Sequence, residues 1–145
     1  MQRFNRFLIW LWSQEGSPAE RARGLAFGIF AGCFPFFGLQ TILGIALASL
    51  FKGNRILAAI GTWISNPITY IPLYFFNYEI GCWVLGDKVE NIDLGELTWN
   101  NLFLNSSILT VRLLLGSFIV GLATSLIAGL LAFNYLQKKT RFHIK

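Results

Sequence analysis

The residues that could do chemistry in this chain are few, and they gather at two places. Pro35, Gln40 and Thr41 form one group; Ser65, Asn66, Pro67 and Thr69 form the other. Their hydrogen-bonding side chains are uncharged amides and hydroxyls, suited to holding a polar headgroup or a small solute. Each group carries proline inside an apolar run. Proline removes a backbone N–H and clashes with the preceding helical turn, so a helix breaks or kinks there. A broken helix presents free N–H groups at one new end and free C=O groups at the other, and the N–H end attracts anions. The same side chains also suit a simpler task, pairing with the backbone groups that the prolines release.

Two ionisable residues complete the candidate set. Glu79 sits inside an otherwise uncharged stretch, where a carboxylate can take up a proton or pair with a cation. Arg112 is the cation that could meet it, giving a candidate ion- or proton-coupling pair; the alternative is a carboxylate reaching the membrane interface beside Tyr78 and Trp83. No catalytic set is legible. His143 stands alone in the basic C-terminal tail, and Cys33 and Cys82 lie in apolar runs, where cysteine behaves as a small buried hydrophobe. No metal-ligand spacing, phosphate-binding glycine loop or cofactor signature is present, so neither an enzyme nor a cofactor is expected.

The elements that position these residues are strongly apolar. Hydrophobic residues make up 54% of the 145-residue chain and charged residues 13%, about half the usual share of a soluble domain. Residues 24–51 and 113–137 carry no charge, and 56–86 carry only Glu79. A helix crosses a bilayer with ~20 apolar residues. The expected fold is an all-α integral membrane protein forming one domain. An amphipathic interfacial helix spans 1–16. A proline-broken helix or hairpin spans 18–51, and a second helix, interrupted from Ser65 to Pro72 with proline at 67 and 72, spans 56–86. A polar segment covers 87–112, a transmembrane helix 113–137 and a basic tail 138–145. Ser17-Pro18-Ala19-Glu20 carries a capping box with proline in the first turn, marking a helix start. Gly24 to Gly32 reads as helix contact. Ser125 and Gly129 form a small-xxx-small pair, also suited to close helix packing.

The basic residues give the orientation. Arg3, Arg6, Arg21, Arg23, Lys52, Arg55 and the tail all prefer the cytoplasm under the positive-inside rule. The simplest arrangement has a re-entrant first run, a spanning second run, residues 87–112 outside and both termini in the cytoplasm. Read this way, the net charge of +5 reports topology, and nucleic acid is not an expected partner.

At Phe34-Pro35-Phe36-Phe37-Gly38-Leu39-Gln40-Thr41, at Lys52-Gly53-Asn54-Arg55 and above all at Gly61-Thr62-Trp63-Ile64-Ser65-Asn66-Pro67-Ile68-Thr69, the chain resembles a bacterial membrane family, domain of unknown function 2062. The likeness covers about residues 15–137. It implies a small bacterial inner-membrane protein and brings no established activity. Some members carry the domain fused to a glycosyltransferase. Two functions are therefore expected: a transporter or lipid-handling protein with a polar site where two broken helices meet, or a non-catalytic scaffold or accessory subunit for an envelope-biogenesis enzyme. Membrane lipids are the expected partners. A homo-oligomer is expected because one copy has few helices to enclose a pathway. The two breaks, residues 34–41 and 65–69, are expected to pack together, with Gln40 and Asn66 turned toward each other or toward a shared cavity.

Overall fold

The computed structural model describes residues 14–86 and 99–143, with side chains at 14–86 and 107–139. Among the described residues every regular element is a helix. The expected interfacial helix at 1–16 lies almost wholly outside them.

Helix α1, Pro18–Gly32, starts where the capping box predicts. The Ser17 hydroxyl accepts from the Glu20 N–H at 3.2 Å, and the Ser17 N–H donates to the Glu20 carboxylate at 2.9 Å. The chain breaks over residues 33–38 around Pro35. Helix α2, Leu39–Leu50, then leads to a tight turn in which Lys52 adopts φ +53°. Helix α3, Arg55–Gly61, is capped by the Asn54 side chain and tightens into a 3₁₀ turn, Thr62–Ile64. After the second break come α4, Tyr70–Leu85, closed by left-handed Gly86, and α5, Trp99–His143.

Two boundaries differ from the sequence reading. Pro72 does not extend the second break, because it sits in the first turn of α4, where a missing N–H leaves no hydrogen bond unmade. The polar segment is helical from Trp99 onward, so α5 begins well before residue 113. Residues 99–112 contain no proline or glycine to stop a helix, and their asparagines and serines change hydropathy without breaking it. At ~1.5 Å per residue, the 45 residues of α5 extend about 68 Å, more than twice the hydrocarbon thickness of ~30 Å.

Close approaches through small residues set the topology. Gly24, Gly28 and Gly32 of α1 stand against Asn54, Ala58 and Thr62, in the same order, so α1 and α3 run parallel. A Cβ on Gly24 or Gly28 would strike a backbone carbonyl oxygen of the partner. Both stripes have four-residue spacing, which lines them up on facing helix surfaces. Gly44 of α2 meets Ala31 and Gly28, while Gly53 reaches Gly24, so α1 and α2 form an antiparallel hairpin. Helix α5 runs antiparallel to two successive partners. Gly129 meets Ala26 and Gly121 meets Phe30 and Cys33 of α1; Gly116 meets Asn77 and Arg112 meets Gly81 of α4.

The interior is built mostly from small and polar side chains: Ala31, Cys33, Ala48, Ala58, Thr62, Asn77, Cys82 and Ser117 are buried, with Leu57 and Leu136 the largest side chains among them. Many large apolar side chains face outward, among them Ile42, Leu50, Trp63, Ile71, Trp83, Leu126 and Leu131. By length and composition, one helix stretch, Ser107–Lys139, can cross a membrane; α2 and Arg55–Ile64 are shorter apolar helices.

Candidate functional site where two helix breaks meet

The first break leaves an orphan. Just past the last residue of α1, Pro35 carries no N–H and the chain turns away, so the Cys33 carbonyl has no helical donor, while the Phe34 carbonyl accepts from the Phe36 N–H at 2.8 Å. Two side chains of α4 reach these carbonyls. Asn77 Nδ2 donates to the Cys33 carbonyl oxygen at 2.9 Å, and the Tyr74 hydroxyl donates to the Phe34 carbonyl oxygen at 3.2 Å. Residues 74 and 77 share one helix face, as i, i+3 spacing requires. Asn77 is fully buried (0% exposed) and its Nδ2 also donates to Ser117 of α5 at 3.0 Å. A carbonyl can only accept, so the amide nitrogen must face Cys33. That leaves Asn77 Oδ1 buried without a hydrogen-bond partner.

The second break closes on itself. The Asn66 side-chain oxygen accepts from the N–H groups of Ile68 (2.9 Å) and Thr69 (3.1 Å). The Thr69 hydroxyl accepts from the Asn66 N–H at 2.9 Å and donates to the Ile64 carbonyl oxygen at 2.7 Å. This reciprocal pairing, with Pro67 between, has the logic of a capping box. The hydrogen bonds of the Asn66 side chain lie within residues 63–69, so Asn66 builds the turn. The Ser65 hydroxyl is buried, donates to the Thr62 carbonyl oxygen at 3.2 Å and faces the Tyr74 phenol.

Hydroxyls and rings join the two breaks. The Thr62 hydroxyl donates to the Ala59 carbonyl oxygen at 2.7 Å, so in the 3.2 Å contact between Thr41 and Thr62 the proton comes from Thr41. Gly32, at the end of α1, packs on Thr62 and Ile64. Phe37 stands edge-on to Tyr70 and Tyr74, with ring centroids 5.1 and 6.0 Å away. Gln40 is only 6% exposed, and its Oε1 has no hydrogen-bond partner. Pro35 is half-buried and Pro67 exposed.

This junction sits against the middle of the apolar stretch of α5. Ala123 lies midway between Ser107 and Lys139; Gly116, Ser117, Gly121 and Thr124 of α5 touch Asn77 or Cys33. The small residues from Gly116 to Gly129 thus face both α1 and α4.

Glu79 and Arg112 stand apart from this junction. Arg112 donates to the Tyr78 hydroxyl at 3.3 Å, while Glu79, one residue further on, is exposed. Among the described residues no three His, Cys, Asp or Glu side chains gather as metal ligands would. Sequence reasoning passed over Asn77, Tyr74 and Thr62. A signal for Asn77 existed: it is a lone amide in the apolar run from Tyr70 to Tyr78.

The model of a family described as an uncharacterized protein conserved in bacteria, DUF2062, matches residues 1–145. The chain belongs to this family. No curated protein and no solved structure matches it. The three DUF2062-like segments acquire physical reasons in this fold. Phe34 to Thr41 makes the first break. Lys52 to Arg55 makes a turn whose Asn54 caps α3 and donates from Nδ2 to the Glu15 carbonyl oxygen at 2.8 Å. Gly61 to Thr69 makes the 3₁₀ turn and the self-closing second break.

Proposed function

We propose that this protein is a multi-pass protein of the bacterial inner membrane that moves or holds a polar headgroup or small solute where its two broken helices converge. Both termini lie in the cytoplasm. The α1–α2 hairpin enters from the basic side and returns to it, α3 and α4 together cross, and α5 crosses back. In support, large apolar side chains face outward and small or polar ones inward, as expected where the solvent is lipid and packing depends on close backbone approach. The basic residues Arg23, Lys52, Arg55, Lys138 and Lys139 also fall toward one end of this arrangement.

One observation carries the functional part. Buried amides at Gln40 and Asn77 each keep an unpartnered oxygen beside the breaks: Gln40 in α2, which packs on α1 and α3, and Asn77 in α4, against the middle of the α5 apolar stretch. A buried acceptor without a donor costs about 1–3 kcal/mol. Such groups are retained where a water, hydroxyl or amine is to be bound. Gln40 and Thr41, with Asn77, are the proposed binding groups. Pro35, Ser65, Asn66, Pro67 and Thr69 shape the breaks around them. Glu79 and Arg112 are proposed to modulate the outer end. One copy has too few helices to enclose a path, so the working unit is a homo-oligomer in contact with membrane lipids.

A second reading has its own support. The polar groups of the second break are spent on their own backbone, as they would be in a scaffold or accessory subunit for an envelope-biogenesis enzyme. Asn66→Leu cannot separate the two readings because it would undo the turn. Gln40→Leu can. In proteoliposomes containing a headgroup-labelled phospholipid, the wild-type protein should speed exchange between leaflets, and Gln40→Leu should slow it while leaving helix content intact. Exchange no faster than in protein-free vesicles would favour the scaffold.

A further inference from the structure

We propose that the groove between the N-terminal half of α1 and the C-terminal half of α5 holds one acyl chain of an anionic phospholipid, with its phosphate on Arg23. The groove is distinct from the junction of the breaks. It is an open groove of about 230 Å³ lined by Ala19, Ala22, Ala26, Gly129 and Phe133, with Arg23 contributing its wall on one side. Its origin is the small-residue contact that brings the helices together at Ala26 and Gly129. Alanines and a glycine let the backbones approach, but they leave no side chain to fill the flank. A gap in an apolar medium forfeits dispersion contacts on one side. Once α5 spans a bilayer, the material available to fill it is an acyl chain.

Length and charge agree with that occupant. From Ser125 to Phe133 the groove runs about 12 Å along the helix, close to the ~15 Å depth of one leaflet. Arg23 is exposed, and its Nη2 donates to the Lys52 carbonyl oxygen at 3.0 Å. That bond holds the guanidinium at the groove while using one of its five donors, and the remaining edge of the fork matches a phosphate. Lys138 and Lys139, exposed just beyond Phe133, add positive potential at the same end, where anionic headgroups of the cytoplasmic leaflet collect. A neutral or zwitterionic lipid would satisfy the groove but not the cations.

The inference rests on the membrane placement proposed above and not on transport. Native mass spectrometry of the full chain in detergent, titrated with phosphatidylglycerol and with phosphatidylcholine, tests it. The wild type should retain one phosphatidylglycerol per chain, with a preference of about fivefold over phosphatidylcholine, the factor expected from one cation at a membrane surface. Arg23→Gln should lower that preference clearly, leaving only the part due to Lys138 and Lys139, while the groove still takes up lipid. Ala19→Trp, which fills the groove mouth, should lower retention of both lipids. Equal retention of the two lipids by the wild type overturns the proposal, as does an unchanged preference in Arg23→Gln. Cross-linking between copies through residue 19 would place a second chain in the groove and overturn it as well. A protein that retains phosphatidylglycerol yet fails to speed leaflet exchange upholds this site and sinks the transport reading. One that speeds exchange without retaining lipid does the reverse.

Discussion

The amide nitrogen of Asn77 donates to the carbonyl oxygen of Cys33 at 2.9 Å, joining the middle of α4 to the terminus of α1 across 44 residues of sequence. The carbonyl is an orphan of a helix end, and the amide is fully buried. Neither group has water to fall back on. Asn77→Ala should therefore destabilise the fold by at least ~2 kcal/mol, because it leaves a buried acceptor unmet and opens a cavity. Ser117→Ala, which spares the bond to Cys33, should cost about 1 kcal/mol. Denaturant titration of the detergent-solubilised protein measures both. An Asn77→Ala variant as stable as wild type would remove this bond from the account.

Gln40 should behave in the opposite way. Its Oε1 is buried and unpartnered, so Gln40→Leu relieves a strain and should leave stability unchanged or raise it by up to ~1–2 kcal/mol. The same substitution should depress leaflet exchange. A loss of stability in Gln40→Leu would show that Gln40 serves the fold and not a ligand.

The α1–α3 crossing should tolerate no added volume. A Cβ on Gly28 would strike the Ala58 backbone, which cannot move aside as a flexible side chain can. Gly28→Val should prevent accumulation of folded protein, at a cost above the ~1–3 kcal/mol usual for overpacking. Gly121→Ala meets the Cys33 Cβ at 3.2 Å and a ring carbon and the backbone oxygen of Phe30 at 3.3 Å, contacts more than 1 Å longer than the one at Gly28, and should be far milder. Comparing the folded yields of the two variants by gel filtration checks the contrast.

The second break should depend on a hydroxyl at residue 69. Thr69→Val loses the acceptor for the Asn66 N–H and the donor to the Ile64 carbonyl oxygen, at a cost of about 1–2 kcal/mol by analogy with helix caps. Thr69→Ser should recover most of it. Melting temperatures of the two variants provide the readout, and a Thr69→Val variant as stable as wild type beside a destabilised Thr69→Ser would mean that the methyl group, not the hydroxyl, is what counts.

Orientation is open to cysteine labelling. Cys33 and Cys82 are both free and buried, so background should be low. Leu94→Cys should react with a membrane-impermeant reagent in intact cells, and His143→Cys only after permeabilisation. Reaction at 143 from outside would reject the proposed orientation.

Much of this fold is local and was legible in the chain. The Ser17 capping box starts α1, Pro35 ends its run, and Asn66-Pro67 with Thr69 closes the second break, through a missing N–H or bonds spanning at most five residues. The small residues of α5 also announced close packing. Such features depend on dihedral limits and nearby donors, and neighbouring residues supply both. The N-terminal limit of α5 was not legible, because hydropathy tracks the solvent around a helix, whereas the helix itself continues until something stops it. Pairings were not legible either. That Gly24, Gly28 and Gly32 would meet Asn54, Ala58 and Thr62, that Asn77 would find Cys33, and that an empty flank would open beside Ala26 and Gly129 are outcomes of which helix lies against which. Residue order alone sets most of the helix caps and breaks and how apolar each run is; which orphaned groups find partners and which stay free is an outcome of the folded arrangement, because that choice is made between surfaces far apart in the chain and settled by close packing in three dimensions.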